Sequence, residues 1–194
     1  RDYLEDKLGK AFYRYIHYGN SSPIRFANLF AKHYVFCNRG VNGIEGSLST
    51  AAGSSIVTGD EKVLCVLGDL SFFYDQNALW NQNLNGNLHI IVLNNGKGGI
   101  FNMLKGLEQS PVRDSFISGA HHTTAQGICK QNNIRYMKAT NMEEMQQCVD
   151  NLLNKKSTRP VLLEIFTDAD EDERVAKTYY QILKNEKLAN DKRV

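Results

Sequence analysis

The sequence predicts an α/β fold: a doubly wound, mainly parallel six-stranded sheet with helices on both faces. Three observations carry that expectation. Short apolar runs alternate with helical stretches along most of the chain, as repeated βαβ units do. Two of the runs, residues 63–67 and 88–93, are apolar without alternation, the pattern of strands buried on both faces. Each of these two runs ends in an oxygen-bearing side chain, in Gly68-Asp69 and in Asn94-Asn95. Asn95 follows Asp69 by 26 positions, room for a crossover helix and a second strand. Asp69 and Asn95 then stand side by side at the carboxyl edge of the sheet, where open α/β folds bind ligands.

The elements follow in order. Residues 2–11 have helical spacing through Tyr3, Leu4, Leu8 and Ala11, and residues 12–18 alternate as a short strand. Pro23 suits the first turn of a helix that carries Ile24, Phe26, Ala27 and Phe30. Residues 33–37 form the next strand, closed by Asn38-Arg39-Gly40. Gly43-Ile44-Glu45-Gly46 opens a small-residue helix over 47–57, able to pack closely on the sheet. Gly59-Asp60 turns into the strand at Val63, and a helix holding Leu70, Phe73, Ala78, Leu79 and Trp80 follows Asp69. Residues 103–119, with Pro111 and mixed charge, predict an ordered loop or lid near Asn95. Then come a helix (124–131), a strand (134–138), a helix (142–153) and an apolar strand (160–166). The tail from Glu171 is charged and helical, packed by Val175, Tyr179 and Ile182.

Composition narrows the function classes. A chain of 194 residues fits a single domain over 1–194, and 42% hydrophobic with 23% charged residues is typical of a soluble globular protein. A net charge of +2 with scattered Lys and Arg predicts no nucleic-acid partner. No apolar run reaches membrane length and no signal segment is evident, so the expected location is cytoplasmic, away from membranes. Cys37, Cys65, Cys129 and Cys148 show no CxxC spacing and read as reduced structural residues. Arg1 stands in a helix already under way, the mark of a piece of something longer.

The chemistry at the sheet edge points to a metal-bound diphosphate. Mg²⁺ prefers hard oxygen ligands, often one or two from the protein with the rest from phosphates and water. Asp69 offers a charged ligand, Asn95 a neutral one, and the Gly-rich loop behind Asn95 a main-chain carbonyl. Gly68 permits close approach of a phosphate, and the helix start at Asp69, with Ser71 in its first turn, offers N–H groups. Either motif alone reads as a helix cap or an Asn-Gly turn; the pair at crossover spacing reads as a site.

Gly-Asp and Asn-Asn on two strand ends resemble the motif of thiamine-diphosphate enzymes. The usual third residue, Gly, is Leu70 here. More specific are Asn38-Arg39-Gly40-Val41-Asn42-Gly43-Ile44-Glu45-Gly46, Gly68-Asp69-Leu70-Ser71 and Asn94-Asn95-Gly96-Lys97-Gly98-Gly99-Ile100-Phe101. These look like the 2-succinyl-5-enolpyruvyl-6-hydroxy-3-cyclohexene-1-carboxylate synthase family of menaquinone biosynthesis, over about residues 15–166. Gly-Asp-Leu-Ser is that family's form of the motif.

The resemblance implies the thiamine-diphosphate-binding fold and the C-terminal diphosphate-binding domain of a longer enzyme. The pyrimidine-binding and central domains are absent from this chain. It implies decarboxylation of 2-oxoglutarate on thiamine diphosphate and conjugate addition of the succinyl unit to isochorismate. The metal, Mg²⁺ or Mn²⁺, falls to Asp69, Asn95 and the main-chain oxygen of Lys97, where the family usually has Gly. The Lys97 side chain must then point away or find an anion. Ile100 would keep the cofactor bent and Ile44 would touch its aminopyrimidine, with Gly68, Leu70, Ser71 and Phe101 completing the cofactor site. Asn20, Ser21, Arg25 and Arg39 match positions that handle substrate, and Arg suits carboxylates through its bidentate fork. No catalytic residue is assigned in this chain. The activating glutamate belongs to the pyrimidine-binding domain of a second subunit in a homodimer or homotetramer, and Glu45 is not given that role. The isolated chain is expected to be inactive.

Other readings stay open on residues alone. Arg25 also suits a surface helix, and His121-His122 read as loop residues without a third ligand. Trp80 and Phe72-Phe73 read as core or subunit contact. The alternatives in function are another thiamine-dependent 2-oxoacid decarboxylase or acetolactate-type synthase, and a non-catalytic α/β assembly domain.

Overall fold

Strands β1 (Tyr15–Tyr18), β2 (Val63–Gly68), β3 (Leu88–Asn94), β4 (Arg135–Ala139) and β5 (Val161–Phe166) form one sheet in the order β1-β2-β3-β5-β4. Every neighbouring pair is parallel. The computed structural model describes residues 3, 6–8, 13–103, 106–107 and 110–191, the side chains of 102, 103 and 186–191 excepted. Helices α1 (Ser22–Phe30), α2 (Ser47–Val57), α3 (Asp69–Tyr74), α4 (Gln126–Gln131), α5 (Met142–Asn154) and α6 (Ala169–Asp191) connect and flank the strands. The predicted helix over 2–11 lies largely outside the described residues, though Leu8 is buried in the core.

Side-chain alternation along the strands sorts the core into two layers. Leu64, Val66, Ile91 and Leu163 face one side, where Ile24 and Ala27 of α1 and Val149 and Leu152 of α5 cover them. Val63, Cys65, Leu67, Ile90 and Leu162 face the other, under Leu48, Ala51 and Ala52 of α2, Phe72 of α3 and Cys129 of α4. The apolar runs lack alternation because both faces of β2 and β3 are covered. Leu48, Ala51 and Ala52 of α2 are buried against the sheet. All four cysteines are free. Among the described residues no helix is long and apolar enough to cross a membrane.

Three sequence expectations are corrected. The sheet has five strands, because residues 33–37 make only one bridge, His17 to Phe36, at the β1 edge. There Tyr18 N donates to Phe36 O (2.8 Å) and Phe36 N to Ile16 O (3.0 Å). The chain then peels away towards Asn20, whose amide holds Asn38 O and Gly43 O. The helix after Asp69 stops at Tyr74 and gives way to a 3-10 turn, Gln76–Trp80. At this break Asp75 is the last residue bonded back into the helix, and its side chain accepts from the Ser49 N–H and hydroxyl. Trp80 is 69% exposed, whereas Phe72 is fully buried. On α6, Val175 and Ile182 are exposed; Ala176 is buried and Tyr179 packs on Phe30 at 5.4 Å.

The predicted lid is ordered where it is described, with 104–105 and 108–109 outside the described residues. A 3-10 turn (Gly99–Met103) leads into it and a π-type turn (Arg113–Ile117) lies within it. Its far end returns to the loop behind Asn95: Gly98 N donates to Ser118 O (2.6 Å) and His121 N to Gly96 O (2.8 Å).

Candidate functional site

Parallel strands deliver their carboxyl ends to one edge, so the residues after β1, β2 and β3 converge there. They line a cavity of about 1060 Å³. Asn20, Ser21, Arg25, Arg39, Ile44, Gly68, Asp69, Leu70, Ser71, Asn95, Lys97, Ile100 and Phe101 all border it. Residues drawn from six loops and helix starts are therefore brought to one hollow.

Asp69 begins α3 and is 3% exposed. Its Oδ1 accepts from Leu70 N (2.7 Å) and its Oδ2 from Gly96 N (2.8 Å), which ties the end of β2 to the loop after β3. Burial pushes the Asp69 carboxyl above the usual carboxylate range, while the two N–H groups and nearby His121 pull it back. A cation beside it would offset that cost of burying charge. The β2 neighbour Gly68 has an ordinary extended backbone (φ −80°), and a Cβ there would project into open space. Its lack of a side chain keeps the cavity floor clear.

The loop after β3 is built by short-range hydrogen bonds. Gly96 takes φ +76°, and a Cβ there would meet His121 O at 3.0 Å, so glycine is required. Gly96 N is shared between Asp69 Oδ2 and Asn94 Oδ1 (3.1 Å), and Lys97 N donates to Asn95 Oδ1 (3.3 Å). The Lys97 side chain finds its anion in Asp170, at 3.0 Å, at the start of α6. A carboxylate (Asp69), an amide (Asn95) and a main-chain carbonyl (Lys97) bordering one cavity are of the oxygen types a hard divalent cation takes.

At the other end of the cavity, Asn20 is 2% exposed. Its Nδ2 donates to Asn38 O (2.8 Å) and Gly43 O (2.5 Å), and its Oδ1 accepts from Arg39 Nη1 (2.9 Å). Its side chain is spent on holding the 38–43 loop and aiming Arg39. Arg25 lines the cavity from α1 and makes no ion pair with a described residue. Ser71 Oγ donates to Ile44 O, fixing Ile44 against the start of α3.

Three residues of the site escape the sequence reading. His121 is a loop residue, as its sequence context suggests, yet its Nε2 lies 3.3 Å from Asp69 Oδ2, buried and off hydrogen-bond alignment. His122 is exposed. Asn94 and Glu164 lie beneath the Asn95 loop, joined by a 2.7 Å hydrogen bond. A lone carboxylate in an apolar strand, VLLEIF, is the signal for Glu164, since charged residues are rarely fully buried without partners.

Residues 19–165 match the family described as thiamine pyrophosphate enzyme, C-terminal TPP binding domain. The chain is similar to 2-succinyl-5-enolpyruvyl-6-hydroxy-3-cyclohexene-1-carboxylate synthases of several bacteria. It is 44% identical to that of Phocaeicola vulgatus over 174 residues, 88% of this chain and 31% of the relative. For Bacteroides thetaiotaomicron the identity is 42% over 174 residues, covering 87% and 31%. For Christiangramia forsetii it is 43% over 173 residues, covering 88% and 30%. The chain thus spans about a third of the length of these curated relatives. It belongs to the thiamine pyrophosphate enzymes, in the family of their C-terminal TPP-binding domains.

Proposed function

We propose that this chain is the diphosphate- and metal-binding half of the active site of a 2-succinyl-5-enolpyruvyl-6-hydroxy-3-cyclohexene-1-carboxylate synthase of menaquinone biosynthesis. The reaction is decarboxylation of 2-oxoglutarate and conjugate addition of the succinyl unit to isochorismate. The observation that carries the reading is the meeting of Asp69 and the Asn95 loop, bridged through Gly96 N, at the floor of a cavity that Arg25 and Arg39 also line. The similarity to the synthases supports the choice of substrates.

The residues suit the groups they would hold. Asp69, Asn95 and the Lys97 carbonyl would bind Mg²⁺ or Mn²⁺, and the open space over Gly68 leaves room for a phosphate. Bound thiamine diphosphate supplies the carbon nucleophile and electron sink that decarboxylation of a 2-oxoacid requires. Ile44 and Ile100 give that cofactor an apolar wall. Arg25 and Arg39 pair with substrate carboxylates, Arg39 held in place by Asn20, and Ser21 stands beside them. The activating glutamate comes from a pyrimidine-binding domain of a second subunit, in a homodimer or homotetramer.

The test uses the full-length protein with thiamine diphosphate, Mg²⁺ and 2-oxoglutarate, with and without isochorismate. Loss of isochorismate with a product of succinyl-adduct mass is expected, and Asp69→Ala should abolish it. Carbon dioxide from pyruvate without an adduct would instead identify an acetolactate-type enzyme and remove the substrate roles of Arg25 and Arg39. Absence of Mg²⁺-dependent cofactor binding would identify a non-catalytic assembly domain.

A further inference from the structure

Glu164 is fully buried in the middle of the sheet, on β5, where an unsatisfied carboxylate is costly. Its partners are all donors. Oε1 accepts from Asn94 Nδ2 (2.7 Å), Oε2 from Tyr136 OH (2.7 Å), and Ala125 N reaches both oxygens at 3.1 Å. Asn94 passes the constraint on. Its Nδ2 also donates to Thr123 O (3.0 Å), and its Oδ1 accepts from Gly96 N (3.1 Å). An amide can face its neighbours two ways round, and here only one is compatible with them. A carboxylate accepts and never donates, so it selects the NH₂ end of Asn94. The oxygen end is then left for Gly96 N, the same N–H that Asp69 Oδ2 accepts. Turned the other way, the NH₂ of Asn94 would oppose the Gly96 N–H in a half-buried turn.

We propose that Glu164 is a positioning residue for the metal site: by fixing the orientation of the Asn94 amide it locks the Gly96 turn that presents Asn95 and the Lys97 carbonyl. The first asparagine of the Asn-Asn pair is then the lever and the second the ligand. This rests on the functional reading above. Groups that orient metal ligands from behind typically change metal affinity by about 10- to 100-fold when removed.

The test measures thiamine diphosphate binding by calorimetry across a series of Mg²⁺ concentrations, in the full-length protein and its variants. Unlike turnover, the Mg²⁺ midpoint is not moved by a general loss of activity. Glu164→Asp keeps the charge but is one methylene too short to reach Asn94, and should raise the Mg²⁺ midpoint about tenfold or more. Glu164→Gln loses the charge but keeps one oxygen for both the Asn94 NH₂ and the Ala125 N–H, its own NH₂ turning to Tyr136 OH, which then accepts. Its midpoint should stay within about threefold of the wild type, well short of the loss expected on removing such a group. The opposite order, Asp normal and Gln impaired, would make the charge rather than the hydrogen bond the active feature and overturn the proposal. Normal midpoints in both variants would overturn it too. Should both Glu164 variants fail to fold, Asn94→Ala decides: it leaves Glu164 with Ala125 and Tyr136, and a wild-type midpoint would refute the lever. Wild-type protein that shows no Mg²⁺-dependent cofactor binding would bring down the functional reading first, and this inference with it.

Discussion

Ser21 holds φ 74° and ψ −133°, a conformation that residues with a side chain avoid. Such a residue costs on the order of 1–3 kcal/mol and persists where its surroundings impose it. It lies between buried Asn20 and Pro23 at the start of α1, on the wall of the cavity. Ser21→Gly should therefore raise the urea midpoint without changing the m-value, by about 1 kcal/mol in stability. If the hydroxyl meets substrate as proposed, the same variant raises KM for the 2-oxoacid. Stability gained together with substrate binding lost is the expected pair; unchanged stability would remove the strain. His89 offers a pH test. It is 1% exposed, and burial first, then the charge of Lys62, lowers its pKa from 6.5 to about 4. The unfolded chain thus binds a proton that the folded chain refuses between those two values. Stability is complete above pH 6.5 and falls as the pH drops towards 4, by about 3 kcal/mol from this residue. His17 and His33, also lowered by burial, act in the same direction. Urea unfolding at pH 7 and pH 5 should show the loss, and His89→Gln should flatten it.

Between elements, the clearest dependence is of α2 on a residue far from it in sequence. α2 starts at Ser47 after Gly46, which has no side chain to cap it. Its first-turn N–H at Ser49 is instead accepted by Asp75 Oδ2 at 2.8 Å, and Ser49 Oγ donates to Asp75 Oδ1. Asp75 thereby caps one helix while ending another, and its charge suits a helix N-terminus. Asp75→Ala should cost about 1–3 kcal/mol in a denaturant titration, because a donor loses its acceptor. Asp75→Asn, which keeps an acceptor, should cost less. This contact also explains what the sequence left unread. Strands β2, β3 and β5 and helices α1, α2 and α5 follow from apolar runs and helical spacing, which are local. The break at Tyr74 coincides with the contact of Asp75 to Ser49, and the chain that leaves the β1 edge after one bridge is the one whose 38–43 loop Asn20 holds. Neither partner is visible from the segment it acts on.

At the scale of the molecule, the site was legible where chain ends converge and illegible where side chains meet across the fold. Strand ends announce themselves in sequence, so Asp69 and Asn95 are expected at one sheet edge, where the structure brings them to one cavity, and Lys97 pairs with Asp170. Asn94 and Glu164 are separated by 70 positions, and His121 stands beside Asp69 where its N–H meets Gly96 O and Ser118 O meets Gly98 N. Such pairings come from topology. The same cavity has a rim unlike a closed pocket: Tyr74 and Phe116 line it and stand 69% and 83% exposed. Exposed aromatic side chains on the wall of a largely apolar cavity suit a surface that another protein part covers. On the half-site proposal that part carries the pyrimidine-binding groups, and an open, wet half-site neither excludes water nor supplies the activating glutamate. The chain of residues 1–194 alone, given thiamine diphosphate, Mg²⁺ and 2-oxoglutarate, should therefore release no more carbon dioxide than the cofactor does free in solution. The full-length protein should release it catalytically, and Asp69→Ala should return it to the background. Multiple turnovers by the 194-residue chain would mean that a carboxylate within it, Glu45 being the one that lines the cavity beside Ile44, does what the proposal assigns to a second subunit.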